Sequence, residues 1–231
     1  MIKSKNIFVA GTGTDIGKTY IAGLMLKKFL SAGINAAYFK AAMSGNVRDV
    51  FTNAPVPGDA LSVKSVSGSR QPLSEMCPYV YEAAYSPHLA AKLEGNLVDF
   101  DVVLRKFDEL SEKYDCIIME GSGGILCPIR LDDKTIWLED FIKARNFDCL
   151  LAADAGLGTI NAVGLTAHYM KAKNIRLAGI IMNHFQSGNV MHEDNLRVCE
   201  AITGVKVIAC VGDNDEEINF MGGSITVNKN L

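Results

Sequence analysis

A glycine-rich loop near the start of the sequence carries the residue types needed to hold a nucleoside triphosphate. It runs from Gly11 to Thr19 as Gly-Thr-Gly-Thr-Asp-Ile-Gly-Lys-Thr, directly after a short apolar run. Its glycines can adopt positive φ angles and let backbone N–H groups close around phosphate oxygens. Lys18 is expected to bridge the β- and γ-phosphates, and Thr19 to ligate magnesium through its hydroxyl. The alternative is a glycine-rich turn that binds nothing.

Two charged residues end apolar, strand-like runs elsewhere in the sequence. Glu120 ends the run Cys-Ile-Ile-Met-Glu, and Lys40 ends a run that begins at Asn35. Ligands of open α/β sheets bind at the carboxyl ends of the strands. There Glu120 could hold magnesium directly or through water, and Lys40 could face a second anion beside the γ-phosphate. Considered alone, each is equally consistent with an ordinary charged residue at the rim of a sheet.

Other motifs have simpler structural interpretations. Asp59 follows a glycine and precedes a helical pattern, which is typical of a helix N-cap. Ser86-Pro87 is typical of an N-cap followed by proline at the first helical position. The turn Gly156–Asn161 could offer N–H groups to a carboxylate or merely join a strand to a helix. Asn183-His184 follows an apolar run, where the amide could read a purine edge.

These residues need a common scaffold, and the hydrophobic pattern supplies one. Continuous apolar runs are typical of strands covered on both faces, and here they alternate with helical patterns. This predicts an α/β fold with a doubly wound, mostly parallel sheet and helices on both faces, as one domain over residues 1–231. The strands are predicted at Asn6–Ala10, Asn35–Lys40, Asp115–Glu120, Phe147–Ala153, Arg176–Asn183 and Lys206–Val211.

Between the strands, the first helix is predicted to start at Gly17 and to stop at Gly33. Its buried face is expected to consist of Ile21, Leu24, Met25 and Phe29. Ala41–Gly58 is rich in Gly, Pro, Asn and Ser and is predicted to be an irregular, functional loop. No structure is predicted for the polar stretch Asn214–Leu231.

Composition narrows the function class. Of 231 residues, 48% are hydrophobic and 21% charged, as expected for a globular protein. The net charge of −3 does not favour a nucleic-acid partner, and no apolar run is long enough to span a membrane. Six cysteines without a Cys-x-x-Cys pair favour a reduced, cytoplasmic protein. Four histidines without metal-ligand spacing argue against a zinc site.

In their order along the chain, these motifs resemble one family, the dethiobiotin synthetases of biotin biosynthesis. The family shares the glycine loop in which five residues, rather than four, separate Gly11 from Gly17. The resemblance extends over about Asn6–Val211 and rests on Gly11–Thr19, Tyr38-Phe39-Lys40, Ser44-Gly45, Asp59-Ala60, Ser86-Pro87-His88, Glu120–Gly124, Gly158–Asn161 and Asn183. It implies a P-loop NTPase fold and an ATP- and Mg²⁺-dependent cyclo-ligase. Such an enzyme carboxylates 7,8-diaminononanoate with CO2 and closes a cyclic urea through an N-carbamate and a carbamic-phosphoric anhydride.

The resemblance also implies residue roles. Lys40 stabilises the N-carbamate and Lys18 neutralises the transferring phosphoryl group, so both are expected to be catalytic. The implied metal ligands are Thr19, Asp59 and Glu120, and the implied substrate contacts are Thr14, Ser44, Gly123 and Asn161. The implied nucleotide contacts are Thr14, Asp15, Ile16, Gly17, Lys18, Thr19, Tyr20, Asp59, Glu120, Gly121, Ser122, Gly123, Asn183, His184, Gly212, Asp213 and Asn214. In the family a second subunit completes the substrate carboxylate site around Asn161, which implies a homodimer.

Four positions depart from the family pattern. Asp15 stands where glutamate is common, and Ala41 replaces a common proline after the lysine. No tyrosine occurs near Asn195, where one would reach the partner's substrate carboxylate. The segment Val211–Asp213 lacks the usual proline. These departures bear on substrate affinity and nucleotide selectivity more than on the type of reaction.

Two other classes of protein contain such a loop. Dimeric switch ATPases of the partitioning or septum-positioning type carry an extra lysine early in the loop, and Gly11–Thr14 contain none. Amidating cobyrinate-type synthetases need a glutaminase domain, for which 231 residues leave no room. The motifs therefore favour a dethiobiotin synthetase over these two classes, and a dimeric switch ATPase is the alternative hypothesis from another class of protein.

Overall fold

The computed structural model describes residues 6–222, which form a central sheet flanked by helices. None of the helices in this part of the chain combines the length and apolar character that crossing a bilayer requires. In chain order the elements are β1 (Asn6–Gly11), α1 (Lys18–Ser31), β2 (Ala36–Lys40), β3 (Ala42–Met43), α2 (Gly58–Ser67), α3 (Leu73–Met76), β4 (Tyr79–Val80), α4 (Pro87–Leu93), α5 (Phe100–Ser111), β5 (Cys116–Glu120), β6 (Pro128–Leu131), β7 (Thr135–Trp137), α6 (Leu138–Ala144), β8 (Asp148–Asp154), α7 (Thr159–Ala172), β9 (Leu177–Asn183), α8 (Val190–Thr203) and β10 (Val207–Cys210).

Six strands form the central sheet in the order β10-β9-β8-β1-β5-β2, and every neighbouring pair is parallel. They are the six strands predicted from the apolar runs, with each end within one residue of its predicted position. The predicted doubly wound, mostly parallel sheet is therefore confirmed. Two short sheets lie outside it, a parallel pair β3-β4 and an antiparallel hairpin β6-β7.

The two faces of the sheet lie in separate hydrophobic clusters. Ile7 and Val9 of β1 join a cluster that includes side chains of α1, α2 and α3. Phe8 and Ala10, which point the other way, join a cluster that includes side chains of α4 to α8. Successive residues of a strand face opposite sides, so continuous apolar runs follow from coverage on both faces.

Helix α1 follows the phosphate loop directly. Gly17 is its N-cap, with a left-handed φ of 87°, so the helix begins at Lys18, one residue later than predicted. The four residues predicted to share its inner face, Ile21, Leu24, Met25 and Phe29, are all buried. Gly33, with φ 74°, follows the helix as expected.

Two local predictions need correction. Asp59 is not an N-cap: Pro57 holds that position with extended backbone, and Asp59 lies in the first turn of α2. The predicted irregular stretch Ala41–Gly58 contains β3, because buried Ala42 and Met43 pair with β4. Ser86 is the N-cap of α4 with Pro87 at its first position, as predicted.

Groups that are not strands occupy part of the open edge of both outer strands of the central sheet. At β2, the buried amide of Gln71 accepts from Tyr38 N at 2.8 Å and donates to Tyr38 O at 2.9 Å. At β10, Met221 N donates to Ile208 O at 2.7 Å, and the nearby Ile218 is buried. Residues 211–222 form no helix or strand, and the rest of the predicted unstructured tail lies outside the described residues.

Candidate active site

The carboxyl ends of β1, β2 and β5 and the start of α1 surround a cleft of about 1170 Å³. Parallel strands end at one edge of their sheet, so charged residues that are distant in sequence meet there. The cleft is lined by twelve of the predicted site residues: Thr14, Asp15, Gly17, Lys18, Thr19, Tyr20, Lys40, Ser44, Asp59, Glu120, Ser122 and Gly123.

The phosphate loop is folded tightly around the side chain of Lys18. A Cβ atom on Gly11 would come within 2.7 Å of Lys18 Cδ, so the first glycine leaves room for the lysine stem. Lys18 Nζ donates to the carbonyl of Gly13 at 2.6 Å. Burial lowers the pKa of Lys18, an effect that the nearby carboxylate of Glu120 partly offsets. The loop thus encloses the lysine stem and holds the ammonium group against its own backbone.

Lys40 is paired with two carboxylates. Its Nζ lies 2.7 Å from Glu120 Oε1 and 2.6 Å from Asp59 Oδ2. Lys40 and Glu120 are register partners at the ends of neighbouring strands, which fixes the first contact. Burial alone would lower the pKa of Lys40, but the two carboxylates outweigh it and raise that pKa above its ordinary value. Lys40 is therefore a fixed cation at the sheet edge.

Glu120 is held from three sides. Thr19 Oγ1 donates to Oε1 at 3.0 Å, beside Lys40, while the Tyr38 hydroxyl donates to Oε2 at 2.8 Å. Tyr38 is fully buried, and burial together with the charge of Glu120 raises the pKa of the phenol well above its ordinary value. No site role was predicted for Tyr38. The sequence could have indicated one, because residues two apart on a strand lie on the same face, and Tyr38 therefore shares a face with Lys40.

The oxygen atoms at this edge suit magnesium. Thr19, Asp59 and Glu120 supply one hydroxyl and two carboxylates, and Mg²⁺ is typically bound by one or two carboxylates plus substrate phosphates and waters. Within residues 6–222, no group of three or more His, Cys, Asp or Glu side chains is arranged to hold a metal ion. One hydroxyl and two carboxylates would leave further positions on the ion for phosphate oxygens or waters.

The far side of the cleft is polar and uncharged. Ser44 Oγ donates to Tyr85 O at 2.5 Å, and Ser122 Oγ donates to Ala42 O at 3.1 Å. Gly123 has a φ of 61°, and a Cβ there would meet Cys127 Sγ at 3.4 Å. Tyr85 and Cys127 also line the cleft, and no sequence pattern had singled out either residue.

Several predicted nucleotide contacts lie outside the cleft. Asn183 is buried at the end of β9, and its Nδ2 donates to Ile16 O at 3.1 Å, so it anchors the loop. His184 Nδ1 is hydrogen-bonded to the carboxylate of Asp213. The role of Asn183 in reading the base stays a prediction, as do the nucleotide contacts of His184 and Asp213. The predicted contacts that do not line the cleft are Ile16, Gly121, Asn183, His184, Gly212, Asp213 and Asn214.

The turn Gly156–Asn161 is a separate feature, and none of its residues lines the cleft. Asn195 Nδ2 fixes it by donating to Ala155 O at 2.8 Å and Gly156 O at 3.0 Å. Leu157 is 94% exposed at its tip. The sequence predicted Asn161 as a substrate contact, and the cleft of its own chain does not include it.

Comparison with known proteins places this geometry in context. A family model described as an AAA domain matches residues 5–219. The ATP-dependent dethiobiotin synthetase BioD of Brachyspira hyodysenteriae is 47% identical, over 91% of this chain and 93% of the relative. The enzyme of the same name from Clostridium perfringens strain 13 is 40% identical, over 90% of each chain.

Solved structures are similar in fold at much lower identity. The cell division protein FtsY of Thermotoga maritima matches with a TM-score of 0.51 and 17% identity, over 95% of this chain and 66% of that one. The MinC:MinD complex of Aquifex aeolicus matches with a TM-score of 0.54 and 11% identity, over 91% and 82%. These likenesses concern the fold alone. Together with the matching family model and relatives, they confirm the predicted P-loop NTPase type of α/β fold.

Proposed function

The chain belongs to the ATP-dependent dethiobiotin synthetase family, and we propose that its cleft catalyses the family's reaction with the residues assigned below. The substrates are ATP, CO2 and 7,8-diaminononanoate, and the product is dethiobiotin, with ADP and phosphate. The observation that carries the assignment is the convergence of two buried lysines, Lys18 and Lys40, on one cleft at the sheet edge.

The two lysines suit two different anions. CO2 joins one substrate amine, which loses a proton and becomes an N-carbamate, and Lys40 stabilises this anion as a fixed cation beside the phosphate loop. A carbamate oxygen then attacks the γ-phosphorus and ADP leaves, while Lys18 offsets the charge on the transferring phosphoryl group. The second amine attacks the carbonyl carbon of the resulting anhydride, releases phosphate and closes the urea ring.

Thr19, Asp59 and Glu120 would hold Mg²⁺, which supplies charge neutralisation at the phosphates when bound. Lys40 Nζ contacts both carboxylates, so its ammonium already balances part of their charge. The surrounding side chains bind and orient: Ser44, Ser122 and Gly123 face the space beside the two lysines, where the diamine would lie.

We also infer a homodimer and a cytoplasmic location. The exposed turn Gly156–Asn161 offers N–H groups at the start of α7 but does not reach the cleft of its own chain. Its role as a substrate carboxylate site therefore requires the cleft of a second copy. Free cysteines throughout the described residues are consistent with a reducing compartment.

The decisive experiment measures ADP formation and incorporation of labelled bicarbonate into acid-stable product. Both are expected to require ATP, Mg²⁺ and 7,8-diaminononanoate. Acid-stable label reports the closed product, because a carbamate loses CO2 in acid whereas the urea ring does not. A matched substrate that carries one amine instead of two should give no acid-stable label. ATP turnover that is indifferent to both the diamine and bicarbonate would refute the ligase assignment and support the switch ATPase.

A further inference from the structure

The carboxylate of Glu120 presents its two oxygens to different surroundings. Oε1 accepts from Thr19 and Lys40 at the cleft, at 3.0 and 2.7 Å. Oε2 accepts from the hydroxyl of Tyr38, at 2.8 Å. Tyr38 itself is buried in the cluster beneath the cleft and does not line it. The Tyr38 hydroxyl thus hydrogen-bonds to Oε2, the oxygen that accepts from neither Thr19 nor Lys40.

Hydrogen bonds in turn fix the backbone of Tyr38. Gln71 accepts from its N–H and donates to its carbonyl, so one side chain occupies both backbone groups on the open side of β2. Gln71 is itself buried, and Lys64 Nζ donates to the backbone carbonyl of Gln71 at 2.9 Å. The phenol therefore has little freedom to follow a carboxylate that rotates away.

We propose that Tyr38 is a positioning residue for the metal site: its hydroxyl locks Glu120 so that Oε1, and not Oε2, is offered to Mg²⁺. This inference rests on the proposed function, in which Glu120 is a metal ligand. A carboxylate without such a partner can rotate and lose its single productive orientation, whereas a hydrogen bond from behind fixes it. The phenol acts through Glu120 and contacts no substrate.

The test replaces Tyr38 by phenylalanine, which removes only the hydroxyl. Tyr81→Phe is the matched control, because Tyr81 is also buried and its hydroxyl donates to Asn96 O at 2.6 Å, away from the cleft. Mn²⁺ stands in for Mg²⁺, and its free concentration is read by electron paramagnetic resonance in the presence of a non-hydrolysable ATP analogue. Tyr38→Phe should weaken Mn²⁺ binding by about 10- to 100-fold, and Tyr81→Phe should not change it.

A third variant, Glu120→Gln, separates this inference from the proposed function. If Glu120→Gln weakens Mn²⁺ binding while Tyr38→Phe binds like the wild type, the positioning role is wrong and the metal assignment stands. If Glu120→Gln binds Mn²⁺ normally, both are wrong. Equal weakening by Tyr38→Phe and Tyr81→Phe would show a general loss of packing and would also overturn the proposal.

Discussion

At the scale of single residues, the main feature is one ammonium shared by two carboxylates. Glu120 is 1% exposed and Lys40 is 6% exposed, so neither charge is compensated by water. Removing one member of a buried pair leaves the other charge uncompensated, which costs more than the pair itself contributes. Besides its proposed role in the reaction, Lys40 therefore balances buried charge in the free protein.

Lys40→Ala is expected to lower turnover by about 10²- to 10³-fold, because the developing carbamate loses its fixed cation. The buried pairing also predicts a loss of about 3 kcal/mol in unfolding free energy. Steady-state assays and urea titration without metal or nucleotide measure the two effects. Lys28→Ala, at an exposed position on α1, is the control. Wild-type turnover in Lys40→Ala would remove this residue from catalysis.

The sequence located the charged residues of the site because strand ends and a glycine loop leave local patterns. Lys18, Lys40 and Glu120 lie in one cleft as predicted. The capping interpretation of Asp59 failed because α2 already begins at Gly58, with Pro57 as its N-cap. The ion pair of Asp59 with Lys40 is a contact across 19 positions, which no local pattern encodes. Tyr38 belonged to a motif of the family resemblance but was given no role at the site, because a tyrosine within an apolar run looks like any core residue.

At the scale of elements, the phosphate loop depends on its contact with β9. Asn183 ends that strand and packs against Gly17, where a Cβ atom would come within 2.1 Å of Asn183 Nδ2. The glycine therefore serves two purposes, the left-handed turn before α1 and the close approach of a neighbouring strand.

Gly17→Ala should abolish nucleotide binding, because the methyl group would displace either Asn183 or the loop. Gly33→Ala is the matched control: Gly33 also has a left-handed φ, of 74°, but an added Cβ meets nothing within 4 Å. Both variants should lose about 1–2 kcal/mol of stability to backbone strain. Binding of a fluorescent ADP analogue distinguishes them. Equal affinity in Gly17→Ala and Gly33→Ala would contradict the role given to the contact.

The long elements could be predicted from sequence and the shortest could not. The six central strands are covered on both faces, so each is a continuous apolar run. Strands β3 and β4 have two residues each, too few to show any period. Their pairing depends on a contact between distant segments, which only the folded chain reveals.

At the scale of the whole molecule, the cleft and the turn Gly156–Asn161 are separate in one chain. The proposed dimer would bring the turn of one copy to the cleft of the other. The family resemblance implied this arrangement, whereas no pattern in the residues themselves predicted which surface pairs.

Leu157→Glu is expected to give a monomer and to lower dethiobiotin formation, because it places a charge on the tip of the turn. Leu93→Glu, at a position that is 60% exposed on α4, is the control and should remain dimeric and active. Sedimentation should show the wild type at twice the 25.0 kDa of one chain. A wild-type protein that sediments as a monomer would contradict the shared site.

The covered edges of the central sheet bear on how the protein behaves at high concentration. An open edge strand is a template for pairing with other chains and hence for aggregation. The side chain of Gln71 occupies part of one edge, and the segment around Met221 occupies part of the other. Neither group is a strand, so neither can recruit a further strand in register. The sheet is thus closed to edge-to-edge growth at these two points by an amide and by the returning chain.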